Sequence, residues 1–203
     1  MNKKTFAVLA LFGILLSSGL ASKEERRVQL TETNHVFLNG AVGPETMTKL
    51  QMDLASLDLV LPKSEPVYLV INSPGGSIYY GLKFIDFARS LNRNIVTICI
   101  ECQSMGYSLF QSFGERLVTE TSLLMQHNAS INGLSGEYPG EFMNKVTFIS
   151  EMIDRLDQMN ASRVGMSVES FRKLIAHDFT VLGNEAVKIR HADNFVSLTC
   201  NAK

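Results

Sequence analysis

Hydrophobic positions in this chain switch between two periods. Residues 67–71, Val-Tyr-Leu-Val-Ile, form a short β-branched and aromatic run that predicts a buried strand. Leu82, Phe84, Ile85 and Ala88 then recur at helical spacing, which predicts a helix over about 79–91. Between them lies Ser73-Pro74-Gly75-Gly76-Ser77, a tight turn from strand to helix. After the turn at 92–94, residues 95–100 (Ile-Val-Thr-Ile-Cys-Ile) predict another buried strand. Upstream, residues 35–38 read as a strand ended by Asn39-Gly40. Pro44 opens a helix carrying Met47, Leu50, Met52, Leu54 and Leu57. Residues 62–66 are a polar loop. Downstream, strands are expected at 116–118 and 122–126, followed by a polar stretch at 128–140 rich in Gly and Asn. Phe142, Val146, Ile149, Ile153 and Leu156 then fall on one stripe of a long amphipathic helix. A helix over 167–176 is opened by Ser167, another spans 184–189, and a strand at 195–198 closes the chain. Strands alternating with helices predict an α/β fold with parallel strands and crossover helices.

The first residues follow another pattern. Lys3 and Lys4 precede an apolar run over 6–16, and small residues surround Gly19 and Ala21. This is the form of a secretory signal peptide over 1–21, with an uncleaved membrane anchor as the alternative. Residues 22–34 are polar and charged and read as a flexible N-terminal arm. Residues 35–203 then form one domain, as the 203-residue length and a hydrophobic content of 45% allow. The formal net charge of −1 gives no electrostatic case for nucleic acid. Export would carry the chain to an oxidising compartment, where its cysteines matter. Cys99 and Cys102 have C-x-x-C spacing, but Cys99 sits inside the apolar run 95–100 and reads as a buried core thiol. No second pair completes a zinc site, and with Cys200 the odd count leaves a free thiol within a monomer. No metal or cofactor is expected.

Candidate chemistry gathers at strand ends. Gly75 and Gly76 let another group approach the backbone, and bare N–H groups at a helix start suit a developing negative charge. Ser104-Met105-Gly106 follows the strand ending near Ile100, so Ser104 can present its hydroxyl at a strand-to-helix turn. A serine needs a base, and His127 follows the strand 122–126. A carboxylate must orient that imidazole, and Asp178 is the candidate. Each has a plainer reading: a helix cap for Ser104, a core histidine for His127, and a cap or surface charge for Asp178. His177, beside Asp178, competes as base more seriously than His35 or His191.

From about Val36 to Ser197 the chain resembles the proteolytic subunit of the Clp protease (ClpP) nearly end to end. The resemblance is carried by His35-Val36-Phe37-Leu38-Asn39-Gly40, by residues 68–77 ending in Ser-Pro-Gly-Gly-Ser, by Ser104-Met105-Gly106, by Met125-Gln126-His127-Asn128, and by Asp178 standing eight residues before Ala186. It implies the ClpP/crotonase-like fold, with repeated β-β-α-type units and a protruding handle helix at 142–159. It also implies Ser104 as nucleophile, His127 as base, Asp178 as its orienter, and oxyanion donors from the N–H groups of Gly76 and Met105. Peptides or unfolded proteins would be the substrates, and a homo-oligomer, a ring of seven subunits, the assembly. The chain departs from the family pattern in 100–103 and at Asn128, Phe179 and Arg190. Clp subunits receive unfolded chains from a cytoplasmic ATP-driven partner. An exported relative would have no such ATPase partner and would act as an ATP-independent endopeptidase. A non-catalytic assembly or binding protein, a signal-peptide-peptidase-like Ser–Lys enzyme and a crotonase-type acyl-CoA enzyme are the rival readings.

Overall fold

A computed structural model describes residues 25–131 and 133–200. The signal peptide expected over 1–21 lies outside the described residues. Among the described residues, seven strands and six helices follow one another as β1 (Arg26–Leu30), β2 (His35–Asn39), α1 (Pro44–Val60), β3 (Val67–Ser73), α2 (Ile78–Ser90), β4 (Ile95–Gln103), α3 (Met105–Gln111), β5 (Arg116–Gln126), α4 (Gly140–Val164), α5 (Val168–Ile175), β6 (Phe179–Leu182), α6 (Gly183–Lys188) and β7 (Asn194–Cys200). The sheet runs β1-β7-β5-β4-β3-β2, every neighbour parallel, with β6 antiparallel to β5 beside this path. This is the expected α/β class. From β2 to β5 the recurring unit is one strand and one helix, where β-β-α units were expected.

The sheet separates two apolar layers. Along β3, Val67, Leu69 and Ile71 face the main core, which α1, α2, α3 and the end of α4 complete. Val70 faces a smaller layer with Val28, Leu30, Val96, Ile98, Leu117 and Val196. Both faces being covered explains why β3 reads as a continuous apolar run rather than an alternation. The smaller layer also corrects the expectation of a flexible arm over 22–34. Val28 and Leu30 are buried, and β1 pairs with β7 from Arg26↔Val196 to Leu30↔Cys200. The two apolar positions, two apart, were enough to seat a strand among polar neighbours.

Two further elements differ from expectation. β5 is one strand in which residues 119–122 fold out, tied by Ser122 Oγ to Thr119 N at 2.8 Å and to Cys99 O at 2.6 Å. β6, four residues long, was not expected at all. In α4, burial begins at Leu156, so the first four turns project from the body as the handle.

Candidate functional site

The site lies where β3, β4 and β5 end. Ser104 caps α3 at φ 52° and ψ −118°, a conformation that a side chain rarely adopts. The strain is held from several sides. Ser104 N–H donates to Met125 O at 2.9 Å, and Ser108 N–H donates to Ser104 O at 3.2 Å. Gly75 lies against the same corner: a Cβ there would meet Gln103 O and Ser104 Cβ, each at 2.6 Å. Gly106 sits under Ser73, whose backbone oxygen would be 3.0 Å from an added Cβ. The Ser-Pro-Gly-Gly-Ser turn and the Ser-Met-Gly corner are therefore packed directly on each other, which is why both need glycine.

The outcome is a half-buried hydroxyl beside backbone donors. Met105 N–H is the first of α3 and has no partner within the helix. Gly76 stands at φ +142°, held by Val42 N–H donating to Gly75 O at 2.7 Å and Ser77 N–H donating to Val42 O at 2.8 Å. Neither bond uses the Gly76 N–H.

His127 follows β5 directly, and its Nε2 is 2.9 Å from Ser104 Oγ. With the ring proton on Nδ1, the serine hydroxyl donates to Nε2, the geometry of a nucleophile and its base. A polar layer fixes both elements from below. Ser108 Oγ, one turn after Ser104, accepts from Gln126 Nε2 at 3.2 Å and from Asn160 Nδ2 at 2.9 Å. It joins the nucleophile's helix to the strand end bearing His127 and to α4. The sequence reading missed Ser108, Gln126 and Asn160; the signal available was Ser108 at i+4 from Ser104 on a short helix.

Asp178 is the residue the structure does not bring in. It stands at φ 47° in the turn before β6, exposed, and among the described residues its carboxylate makes no hydrogen bond to His127. Its backbone is nevertheless well placed. β5 and β6 pair from Leu123↔Leu182 to Gln126↔Phe179. One further step of that register sets Asp178 opposite His127, where side chains share a face. The rival bases are elsewhere. His35 binds Thr31 O through Nδ1 at 2.6 Å, and His191 is buried on Tyr107 Oη through Nδ1 at 2.8 Å. His177 is exposed, with no hydrogen bond to Ser104.

Two recesses open on the pair. One, about 50 Å³, is walled by Ile78, Met105, Ile153, Leu156 and Ile175, with Ser108, Gln126 and Asp157 as its polar lining. The other, about 280 Å³, runs between the glycine turn and the handle, past Tyr79, Ile149 and Met152. Asp157 is held by Arg172 Nε at 2.7 Å. Among the described residues no group of His, Cys, Asp and Glu could hold a metal ion, and no helix is long and apolar enough to cross a membrane.

Cys99, expected as a buried core thiol, is joined to Cys102 by a disulfide with the two Cα atoms 5.8 Å apart. The expectation failed because residues three apart on a regular strand point to opposite faces. β4 is not regular: Ile71 pairs with Cys99 but Asn72 pairs with Glu101, so Ile100 is bulged out and both sulfurs turn to one face.

Comparison with known proteins covers most of the chain. Residues 21–197 match the Clp protease family. The chain is 29% identical over 165 residues to the ATP-dependent Clp protease proteolytic subunit 3 of Synechococcus sp. (strain CC9902), covering 80% of this chain and 82% of that one. It is 27% identical over 164 residues to proteolytic subunit 1 of the same strain, with 79% and 82% covered. Against proteolytic subunit 2 of Prochlorococcus marinus (strain MIT 9312) the identity is 32% over 126 residues, 61% of this chain and 62% of that one.

Proposed function

Since the chain belongs to the Clp protease family, we propose that it is a serine endopeptidase in which Ser104 is the nucleophile and His127 its base. The observation that carries this is the 2.9 Å contact between Ser104 Oγ and His127 Nε2 at a strained strand-to-helix corner. Ser104 Oγ attacks the scissile carbonyl carbon as Nε2 takes its proton. The N–H groups of Gly76 and Met105 receive the negative charge that develops on the carbonyl oxygen. Nε2 then returns the proton to the leaving amine, leaving an ester on Ser104. Water, deprotonated by the same nitrogen, hydrolyses it. Asp178 completes the site by turning its carboxylate to Nδ1 of His127, a side-chain rotation that the β5–β6 register permits.

The basic-apolar-small pattern of residues 1–21 supports export to the periplasm or beyond. There, without ATP or an ATPase partner, the substrates are short or unfolded peptides. The assembly is a homo-oligomeric ring, of seven subunits by family resemblance. The position of Asp178 favours one other reading, a non-catalytic relative that keeps the fold for assembly or binding.

A fluorophosphonate probe separates the two. The mature protein is expected to label at Ser104, and Ser104→Ala to lose both labelling and peptide hydrolysis with its folded mass unchanged. His127→Ala should lose activity by about 10³-fold or more, because members of such a unit act together. A wild-type protein that stays unlabelled, or a Ser104→Ala variant that turns over peptides equally, overturns the proposal.

A further inference from the structure

We infer that the Cys99–Cys102 disulfide is a positioning element for the nucleophile, and that breaking it slows acylation of Ser104 without unfolding the protein; this rests on the peptidase reading above. Cys99 faces the main core, and three residues later a regular strand would point Cys102 into the opposite layer. The bulge at Ile100 removes one step from the register: on the β3 side Cys99 and Glu101 pair with consecutive residues, and on the β5 side the pairing jumps at the same place. Cys102 therefore returns to the face of Cys99, and both are fully buried in one core.

The same step decides where Ser104 points. A one-residue slip moves every later side chain to the other face. Glu101, Cys102 and Gln103 carry that register to Ser104, whose N–H is fixed on Met125 O of β5. A disulfide between positions 99 and 102 can close only with the bulge in place, since otherwise the sulfurs lie on opposite sides of the sheet. The bridge, whose nearer cysteine stands two residues before Ser104, thus holds the bulge that aims the nucleophile. Ser122 Oγ, donating to Cys99 O at 2.6 Å, secures the bulge from the β5 side, residues 101–103 are paired with β5 beyond it, and the disulfide spans the bulge itself.

The bridge is opened by a dithiol. Two electrons and two protons pass to it, the S–S bond breaks, both cysteines become thiols, and the dithiol closes to its own disulfide. Reduced, the bulge can shift, and an error of an ångström in a nucleophile costs rate rather than fold.

The test uses the mature protein purified without reductant. Under denaturing, non-reducing conditions Cys99 and Cys102 should resist alkylation, and a dithiol should free them. Fluorophosphonate labelling is then followed in the oxidised protein, the dithiol-treated protein and a Cys99→Ala/Cys102→Ala variant, with circular dichroism as the check on fold. The expected result is a fold that persists and a maximal labelling rate about tenfold or more lower in the reduced and variant forms. The half-saturating probe concentration should change less. Reoxidation should restore the wild type, while the variant should not respond to either treatment. Free thiols at 99 and 102 in the untreated protein overturn the inference, as do equal maximal rates in all forms. Loss of fold on reduction overturns it too, because the bridge is then a general stabiliser. No labelling in any form refutes the peptidase reading and this inference with it, whereas equal labelling refutes this inference alone.

Discussion

His191 lies outside the reacting group yet touches both sides of the site. Its Nδ1 is 2.8 Å from Tyr107 Oη, three residues after Ser104, and its ring lies 4.6 Å from that of Phe179, next to Asp178. Arg116, also buried, is the cation that acts on it; it is tied to Asp193 at 2.6 Å and Gln111 at 2.5 Å. Burial first, and the Arg116 charge second, push His191 down to about 4 from its usual 6.5. A base depressed by folding stays neutral in the native state while the unfolded chain takes up the proton. The contribution is full above pH 6.5 and is lost as pH falls toward 4. Urea denaturation of the wild type should therefore weaken between pH 7 and pH 4.5 by roughly 2 kcal/mol through this group. His191→Gln should flatten that part of the profile, though it is less stable at pH 7. A variant whose pH dependence equals the wild type's would remove His191 as the cause.

Among the elements, those with strong periodicity were legible and those defined by pairing were not. α1, α2, β3 and the body of β4 follow from apolar runs and helical spacing that any neighbour would respect. β1 carries too few apolar residues and β6 is too short to declare itself, and both exist because β7 and β5 offer an edge. The site divides in the same way. Ser104 and His127 were legible as residues following buried strands. The disulfide was not, because a bulge leaves no mark in a sequence whose strand period is two. Asp178 was chosen for its place after the helix over 167–176 and then by resemblance, and the β5–β6 register sets its backbone across from His127. Being exposed, it can be changed with little effect on stability. Asp178→Asn should then keep the melting midpoint and lower the maximal peptidase rate by about a hundredfold or more, as when a triad histidine is left in the wrong tautomer. Equal rates would leave Ser104 and His127 acting as a pair.

At the scale of the molecule, several large apolar side chains face solvent. On the handle and just before it, Tyr138, Met143 and Phe148 are exposed; on α1, so are Met52, Leu59 and Val60, with Leu59 at 87%. These lie on separate elements, as two different contacts would require. The handle is also where the site is open. Ile149 and Met152 wall the larger recess, so whatever braces α4 sets the width of the channel beside Ser104 and His127. Phe148 faces Tyr79 of α2 at a ring separation of 6.4 Å, and Arg155 meets Asp86 at 2.5 Å, so within one subunit a few contacts tether the helix. A second copy against the free half would supply the rest. Light scattering at micromolar concentration should accordingly give a mass several times that of the chain, and Phe148→Lys should lower it. The same variant should lose peptidase activity in proportion to the mass lost, though Phe148 is not a lining residue of either recess. A wild type that is monomeric and yet active would separate assembly from catalysis. A monomer that is inactive, with Asp178 still exposed, would make the non-catalytic reading the better one.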